Sequence, residues 1–440
     1  MNKEMNDLCK WVLNTAIKAG AKDARVSLSK SREVELQYRD KKPEIIKQAT
    51  TVQMGMNLFV AGRYSSQSTC DLRKDALKEF ISDAVATTRL IGEDPYRSLP
   101  DPKYYKGRAD IDLKIADPSI DDLKAEKKHA IVKAAENAAW AAGGDKVVTV
   151  EAGYNDEFGE SVTLTSNGFS GYTKSTGFST VVSVSVKDND NRRPVAYDYV
   201  ESHFWNKLAN PETIGANAAR KALAKLGAKK IETATLPIII ENRNVHRIIT
   251  AFFEALDGAN IYRKQSFLAD KKGQKIGSDK FVLIDDPFIP EGQASKLFDG
   301  DGFATKKRTI IDAGILKEFY IDWYYSRKLS CEPTSGSTNN MIIPPGSRSV
   351  DEIIKDLGKG VMVTDFLGGN SNPTTGDFSL GIFGQYFEGG KIVHPVCEMN
   401  IADNHLKFWH KLAECANDPW LYSDWRTPSM MFTDVVVSGM

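Results

Sequence analysis

Apolar residues Leu8, Val12, Leu13, Ala16 and Ile17 recur at helical spacing, and Gly20 follows where a left-handed cap would sit. The period then changes to two. Val34, Leu36 and Tyr38 alternate with polar residues, a DKKP turn follows at 40–43, and Val52, Met54, Met56, Leu58 and Val60 alternate again. This is the pattern of half-buried antiparallel strands. Asp71 stands where an N-cap would open a second amphipathic helix carrying Leu72, Ala76, Leu77, Phe80, Ile81, Ala84 and Val85. The order read from these positions is helix, sheet, helix.

Residues 92–118, GEDPYRSLPDPKYYKGRADIDLKIADP, are interrupted by four prolines and read as a surface connector. An alanine-rich helix is predicted over 119–142, then strands separated by a Ser166-Asn167-Gly168 turn and a polar turn at 188–193. Pro211 starts a helix through Leu226 that Gly227 closes, and the apolar run Leu236 to Ile240 reads as a buried strand. Beyond it Val245, Ile248, Ile249, Phe252, Phe253 and Leu256 form one helical face before Gly258. Short strand-like runs follow, KFVLIDDP, TIIDAGILKEFYI and GIFGQYFEGGKIVHPV, punctuated by Gly and Pro. The expected fold is α+β in two domains. Residues 1–230 form a mixed helix and antiparallel-sheet domain, and 231–440 a β-rich, barrel-like one. No fixed-period repeat is visible along the sequence.

The length of 440 residues accommodates two such cores. Lys plus Arg and Asp plus Glu are each 58, so the formal charge is zero and direct nucleic-acid contact is not expected. No apolar run approaches the roughly 18 residues of a membrane span, and acids and bases interrupt the apolar positions of the N-terminus, so a cytoplasmic location is expected. Cys9, Cys70, Cys331, Cys397 and Cys415 are scattered and odd in number, which favours reduced thiols.

The ligand-type residues His394, Cys397, His405, His410 and Cys415 could in principle surround zinc, but their spacing matches no zinc pattern. Side chains five apart on a helix are turned by about 140° and do not share a face. DGDG at 299–302 and LGGNSNPTTGDFSLG at 367–381 lack the spacing of phosphate loops, and Asp285, Asp286, Asp299 and Asp301 lack that of a calcium loop. No GxSxG elbow occurs. These residues alone define no reaction.

The order of longer motifs is more specific. It runs from DPYRSLPDP (94–102) and SNGFSGYT (166–173) through IGANAARKALAKLGAKKI (214–231) and EALDGANIYRKQSFLADKKGQKIGSDKFVLIDDP (254–287). It continues with FDGDGFATKKRTIIDAGILKEFYIDWYYSRKL (298–329), NPTTGDFSLGIFG (372–384), GGKIVHPV (389–396) and RTPSMMFTDVVVSG (426–439). In this order the chain resembles the TldD/PmbA family, in its PmbA (TldE) branch. The resemblance implies a component of a peptidase system acting on unfolded or small peptides. It also implies a TldD-like partner in which an HExxxH helix and a distant cysteine hold zinc, with the glutamate as general base.

This chain departs from that pattern. Aligned on the A-x-x-x-x-L-[DE]-G end of the helix, the two histidine positions fall on Ile249 and Glu254, and the glutamate falls on Thr250. The terminal segment LYSDWRTPS (421–429) has no cysteine; His246 and Cys415 lie off the motif positions. The expectation is a subunit with no catalytic residue, metal ligand or cofactor of its own, self-associating when alone and pairing with a zinc-bearing TldD-like chain. An independent peptidase using His394 to Cys415 is one alternative. A regulatory binding protein, matching the family's older label of DNA gyrase modulator, is the other. For peptide binding, Thr375, Gly376, Asp377 and Ser379 around Phe378 offer small and hydroxyl-bearing groups that let another backbone approach. The competing reading of the same residues is a tight turn in which Asp377 caps its own backbone.

Overall fold

The computed structural model describes residues 2–189 and 191–439. The period-two alternation marks the middle of strands that continue well past it. β1 (Asp23–Arg39) and β2 (Lys42–Val60) are 17 and 19 residues long. Asp40 and Lys41, at φ 51° and 66°, join them in a two-residue turn whose twist matches that of the strands. β3 (Arg63–Thr69) extends this sheet, α1 (Lys3–Lys18) precedes it and α2 (Lys74–Thr88) follows. The same order then recurs as α3 (Ala125–Gly143), β4 (Val147–Thr165), β5 (Ser170–Val186), β6 (Val195–Ser202) and α4 (Pro211–Leu223). All six strands form one antiparallel sheet in the order β3-β2-β1-β4-β5-β6, so the two αβββα halves meet at the β1–β4 seam about an approximate twofold. This duplication of topology has no counterpart in a sequence period.

Even-numbered residues at both ends of β1 face the helices, with exposed Lys30 between them. Ala24, Val26 and Leu28 pack with α1 and α2, whereas Val34, Leu36 and Tyr38 pack with α3 and α4. Lys128 of α3 and Asp156 of β4, both buried, form an ion pair at 2.5 Å. The alanines of α3 serve a contact as well as a propensity. Ala135 and Ala139 face Gly215, Ala218 and Ala219 of α4 in one core, and a Cβ on Gly215 would fall 1.9 Å from the Ala135 carbonyl oxygen.

Helix boundaries move where local hydrogen bonds compete with capping. α2 begins at Lys74 rather than after Asp71, because the Asp71 carboxylate accepts from the Arg73 N–H and pairs with its guanidinium. α1 begins earlier than its apolar stripe, with the Asn2 side chain accepting from Met5 N–H at 3.3 Å. α3 begins at Ala125, after the short helical turn Ile120–Asp122, and α4 ends at Leu223. Of the predicted turn at 188–193, Asp190 lies outside the described residues.

The C-terminal elements are β7 (Ala234–Ile240), α5 (Val245–Leu256), α6 (Gly258–Tyr262), β8 (Leu283–Asp286), β9 (Arg308–Asp312), β10 (Ile315–Leu316), α7 (Trp323–Leu329) and β11 (Asn340–Ile342). They continue with α8 (Val350–Leu357), β12 (Lys359–Ser371), β13 (Asp377–Glu388), β14 (Lys391–Asn404), α9 (His405–Phe408), β15 (Leu412–Cys415), β16 (Trp425–Arg426) and β17 (Met430–Ser438). Strands β14-β13-β12-β7-β17 close into a five-stranded barrel through the pairs Asn400↔Ser438 and Ile401↔Val437, which removes free edges. β15 extends from β17, and a second sheet runs β10-β9-β8-β11-β16. The apolar run 236–240 is β7, central to the barrel, and Val245, Ile248, Ile249, Phe252 and Leu256 of α5 share its core with residues of the second sheet.

The connector at 92–118 does more than cross the surface. Its Asp94 accepts from Tyr324 Oη at 2.7 Å and its Ser98 from Trp323 Nε1 at 3.0 Å. Backbone bonds from Ala304 N–H to Tyr104 O and from Glu291 N–H to Leu113 O add two further ties. The segment is a strap across the C-terminal domain.

Gly215→Ala is predicted to lower stability by about 1–3 kcal/mol through overpacking of the α3–α4 contact. The readout is the urea midpoint; an unchanged midpoint would mean that the helices separate at no cost.

Candidate functional site

The helix that the family motif singles out is α5. It is entered through Asn242–Asn244 and ends at Asp257, whose carboxylate instead caps α6 by accepting from Ala259 N–H at 2.8 Å. Ile249 is fully buried in the barrel core and has no donor atom to offer a metal. Thr250 turns its hydroxyl back on the helix, donating to His246 O at 2.6 Å, and Glu254 points to solvent. His246 donates from Nδ1 to Arg243 O at 2.8 Å, and burial pushes its pKa down.

The terminal segment does lie beside α5. Asp418 accepts from Ser429 N–H and Oγ and, through its backbone oxygen, from Asn242 Nδ2, while Thr427 Oγ1 donates to Asn242 O. Trp425 packs edge-on against Phe253 of α5 at 4.9 Å, and Tyr320 lies 5.5 Å from the same ring. Aromatic packing therefore occupies the approach between the helix and the segment that would supply a thiolate. The donor set does not fit a zinc site. Among the described residues no group of three or more His, Cys, Asp or Glu side chains is placed to hold a metal ion.

The histidines and cysteines of the alternative cluster have separate surroundings. His405 is buried and lies flat on Phe267 at 5.7 Å. Its Nδ1 accepts from Trp409 Nε1 at 3.3 Å, which leaves Nε2 as the protonated nitrogen, donating to Ser371 Oγ at 2.8 Å. Burial pushes its pKa down to about 4. His394 stacks on Tyr386, and His410 is exposed. Cys397 is buried and accepts from the Arg192 guanidinium at 3.2 Å. Burial pushes the Cys415 thiol up to about 12, far from a thiolate at neutral pH. The acidic residues are equally engaged. Asp285 is bound by Arg308, Asn339 and Tyr320, Asp286 by Lys307, Asp299 by the Asp301 and Phe303 N–H groups, and Asp301 by the Trp323 N–H.

Thr375, Gly376, Asp377 and Ser379 lie at the turn between β12 and β13 and on the strand that follows. Gly376 has φ +83°, and a Cβ there would come 3.1 Å from the Phe267 ring. Its N–H donates to Asn372 O, and its oxygen accepts from His405 N–H, both at 2.8 Å. Asn404 Nδ2 donates to Thr375 O and to Asp377 Oδ1 at 2.9 and 2.8 Å, and this bond together with that from Thr375 holds the Asp377 carboxyl below its usual range. Ser379 shares a bond with Asn400. The turn thus clamps Phe267, Asn404 and His405, and the Asp377 and Thr375 side chains remain at the surface. Only sequence-distant contacts reveal this clamp and the Asn242–Asp418–Ser429 network, so no local signal marked either.

A duplicated helix-and-sheet domain is joined to a closed five-stranded barrel with α5 packed in its core, an arrangement shared with the relatives that follow. The sequence matches the C-terminal domain of the PmbA/TldA metallopeptidases over residues 233–439 and their central domain over 118–226. The chain belongs to the PmbA/TldD metallopeptidase family. A metalloprotease PmbA homologue from Haemophilus influenzae is 28% identical, over 99% of this chain and 96% of that protein. A crystal structure from Bacteroides thetaiotaomicron, described as a candidate modulator of DNA gyrase, superposes with a TM-score of 0.96 at 35% identity over 100% of both chains. TldE from Thermococcus kodakarensis shares the fold, with a TM-score of 0.84 at 21% identity over 98% of this chain and 100% of that one. No helix among the described residues is long and apolar enough to cross a membrane.

Because His405 is held neutral, the unfolded chain binds a proton there more readily than the folded one. Its contribution is complete above pH 6.5 and is lost as pH falls toward about 4. Between those limits the wild type is predicted to lose up to about 3 kcal/mol more than His405→Gln, measured as urea midpoints at stepped pH. Parallel pH profiles would show that His405 takes up its proton equally in the folded and unfolded states.

Proposed function

We propose that this chain is the non-catalytic, PmbA/TldE-type subunit of a TldD/TldE metallopeptidase that degrades or processes unfolded or small peptides. The observation that carries the reading is α5. At the three motif positions stand a core isoleucine, a threonine bonded to its own helix and a solvent-facing glutamate, and Trp425 packs where a ligand-bearing segment would have to come in. A degenerate helix of this kind loses nothing if a TldD-like partner contributes zinc, the activated water and the base. The subunit then shapes the space in which peptide is held and stabilises its partner. Extended peptide bound through main-chain hydrogen bonds would suit substrates of varied sequence. The β12–β13 turn is a candidate for part of that surface, with Asp377 its only acidic side chain.

The chain purified alone is predicted to carry no stoichiometric zinc and to self-associate. Mixed with a TldD-like chain from the same genome, it is expected to form a complex holding zinc and hydrolysing an unfolded peptide that neither chain cleaves well alone. Elemental analysis, light scattering and a peptide-cleavage assay read the three points. One zinc per isolated chain, lost on mutating His394 or Cys397, would replace this reading with an independent peptidase. Co-purification with gyrase in place of a TldD-like chain would replace it with the regulatory one.

For the turn, Asp377→Asn should leave the melting temperature in place and lower the activity of the complex. Unchanged activity in a folded, assembled variant would restrict the turn to its structural role. Gly376→Val is the poorer probe, since positive φ and the Phe267 ring both oppose it.

A further inference from the structure

A cavity of about 380 Å³ opens between the two domains, away from the motif face of α5. β6 and α4 bound it on one side, and the β7–α5 connection and β12 on the other. Its volume falls at the lower end of the roughly 300–1,000 Å³ of small-molecule sites.

The charges around it balance. Lys221, Lys225 and Arg243 supply three cations, and Glu241 and Asp365 with the buried Asp198 behind them supply three anions. Two of the cations are committed. Arg243 pairs with Asp198 and lies 3.6 Å from the Trp420 ring, and Lys225 donates to Asp365 and to Val195 O, both at 2.8 Å. Lys221 is not. Among the described residues its one hydrogen-bond partner is Asp198 Oδ1 at 3.5 Å, a long bond to an oxygen that Arg243 already holds. On the opposite wall the Glu241 carboxylate accepts, among the described residues, one bond, from Asn244 Nδ2 at 3.0 Å. Lys221 and Glu241 form no ion pair with each other within 4.0 Å. An ammonium and a carboxylate with unused hydrogen-bonding capacity thus share one cavity without meeting, and Tyr197, Met362 and Ile392 give it an apolar wall.

We propose that this cavity binds a small zwitterion with an apolar side chain, an amino acid or dipeptide with free termini. Its ammonium would sit on Glu241 and its carboxylate on Lys221, with the side chain against Met362 and Ile392. Balanced charge gives a phosphate or other simple anion no advantage, whereas a ligand carrying both signs completes both unsatisfied groups. Burial raises the Glu241 pKa and lowers that of Lys221, and the attraction between the two only partly offsets it, so a zwitterion would bring each a directly bonded counter-charge. The proposal does not rest on the subunit assignment above.

The test is isothermal titration calorimetry on the full chain with leucine, leucyl-leucine, N-acetyl-leucine amide and inorganic phosphate. Saturable binding of one or both zwitterions is expected, at least about tenfold tighter than the blocked analogue or phosphate, and whichever zwitterion binds tighter identifies the source. Lys221→Met and Glu241→Gln should each weaken it at least about tenfold. Ala224→Phe, at an exposed position on the rim, should block the cavity without disturbing the core, which keeps the test valid if either charge variant misfolds. No saturable binding of either zwitterion, equal binding of the blocked analogue, preference for phosphate, or indifference to every folded variant would overturn the proposal.

Discussion

The antiparallel pairing of β1 with β4, in unbroken register from Arg25↔Thr165 to Arg39↔Glu151, is the constraint on which the N-terminal half of the molecule depends. Without it the two αβββα units would be separate three-stranded sheets, each with a long open edge. With it, one face carries two helix pairs side by side. A slip by one residue would turn Val26, Leu28, Val34 and Leu36 away from both helix pairs at once, so the register is fixed twice over, by two cores. The Lys128–Asp156 pair adds a polar lock. Leaving either charge buried without the other is strongly unfavourable, which penalises any arrangement that separates α3 from β4.

Much of this was legible in the sequence as elements and little of it as topology. Period-two alternation located β1 and β2, the apolar stripes located α1, α2 and α5, and Gly-punctuated apolar runs indicated the barrel. The strand ends escaped notice because polar residues such as Lys30, Glu44 and Lys47 continue the ladder while facing solvent. The duplicated αβββα order escaped because the helices and connections of the two halves differ in length, leaving no fixed period to detect. Asp71 had the composition of a cap, but its carboxylate was captured by Arg73 two residues on.

The site divides in the same way. Motif order identified α5 and the positions Ile249, Thr250 and Glu254, and sequence showed that none is the histidine or glutamate expected at its place in the pattern. It could not show what replaced them. Phe253, Tyr320 and Trp425 come together from three distant segments, and the charged cavity draws its residues from both domains. His405 illustrates the converse. A residue with the composition of a ligand spends both ring nitrogens on Trp409 and Ser371, so one histidine of a grouping in sequence became part of an aromatic core while His394 and His410 lie elsewhere.

The strap at 92–118 has a consequence for how the chain is made. Its partners in the C-terminal domain, among them Glu291, Ala304, Trp323 and Tyr324, are far downstream, whereas Gly62, Asn167 and Ser170, which it also touches, are made much sooner. A ribosome adding roughly 5–20 residues per second needs on the order of 10–40 s to produce the about 200 residues that separate the strap from its docking surface. Through that interval α1–α2 can already be laid down on β1–β3 and the strap can settle on the N-terminal sheet through Gly62, Asn167 and Ser170, while the face that will meet the C-terminal domain stays in water. Docking of that face is therefore a late event that reports completion of the C-terminal domain.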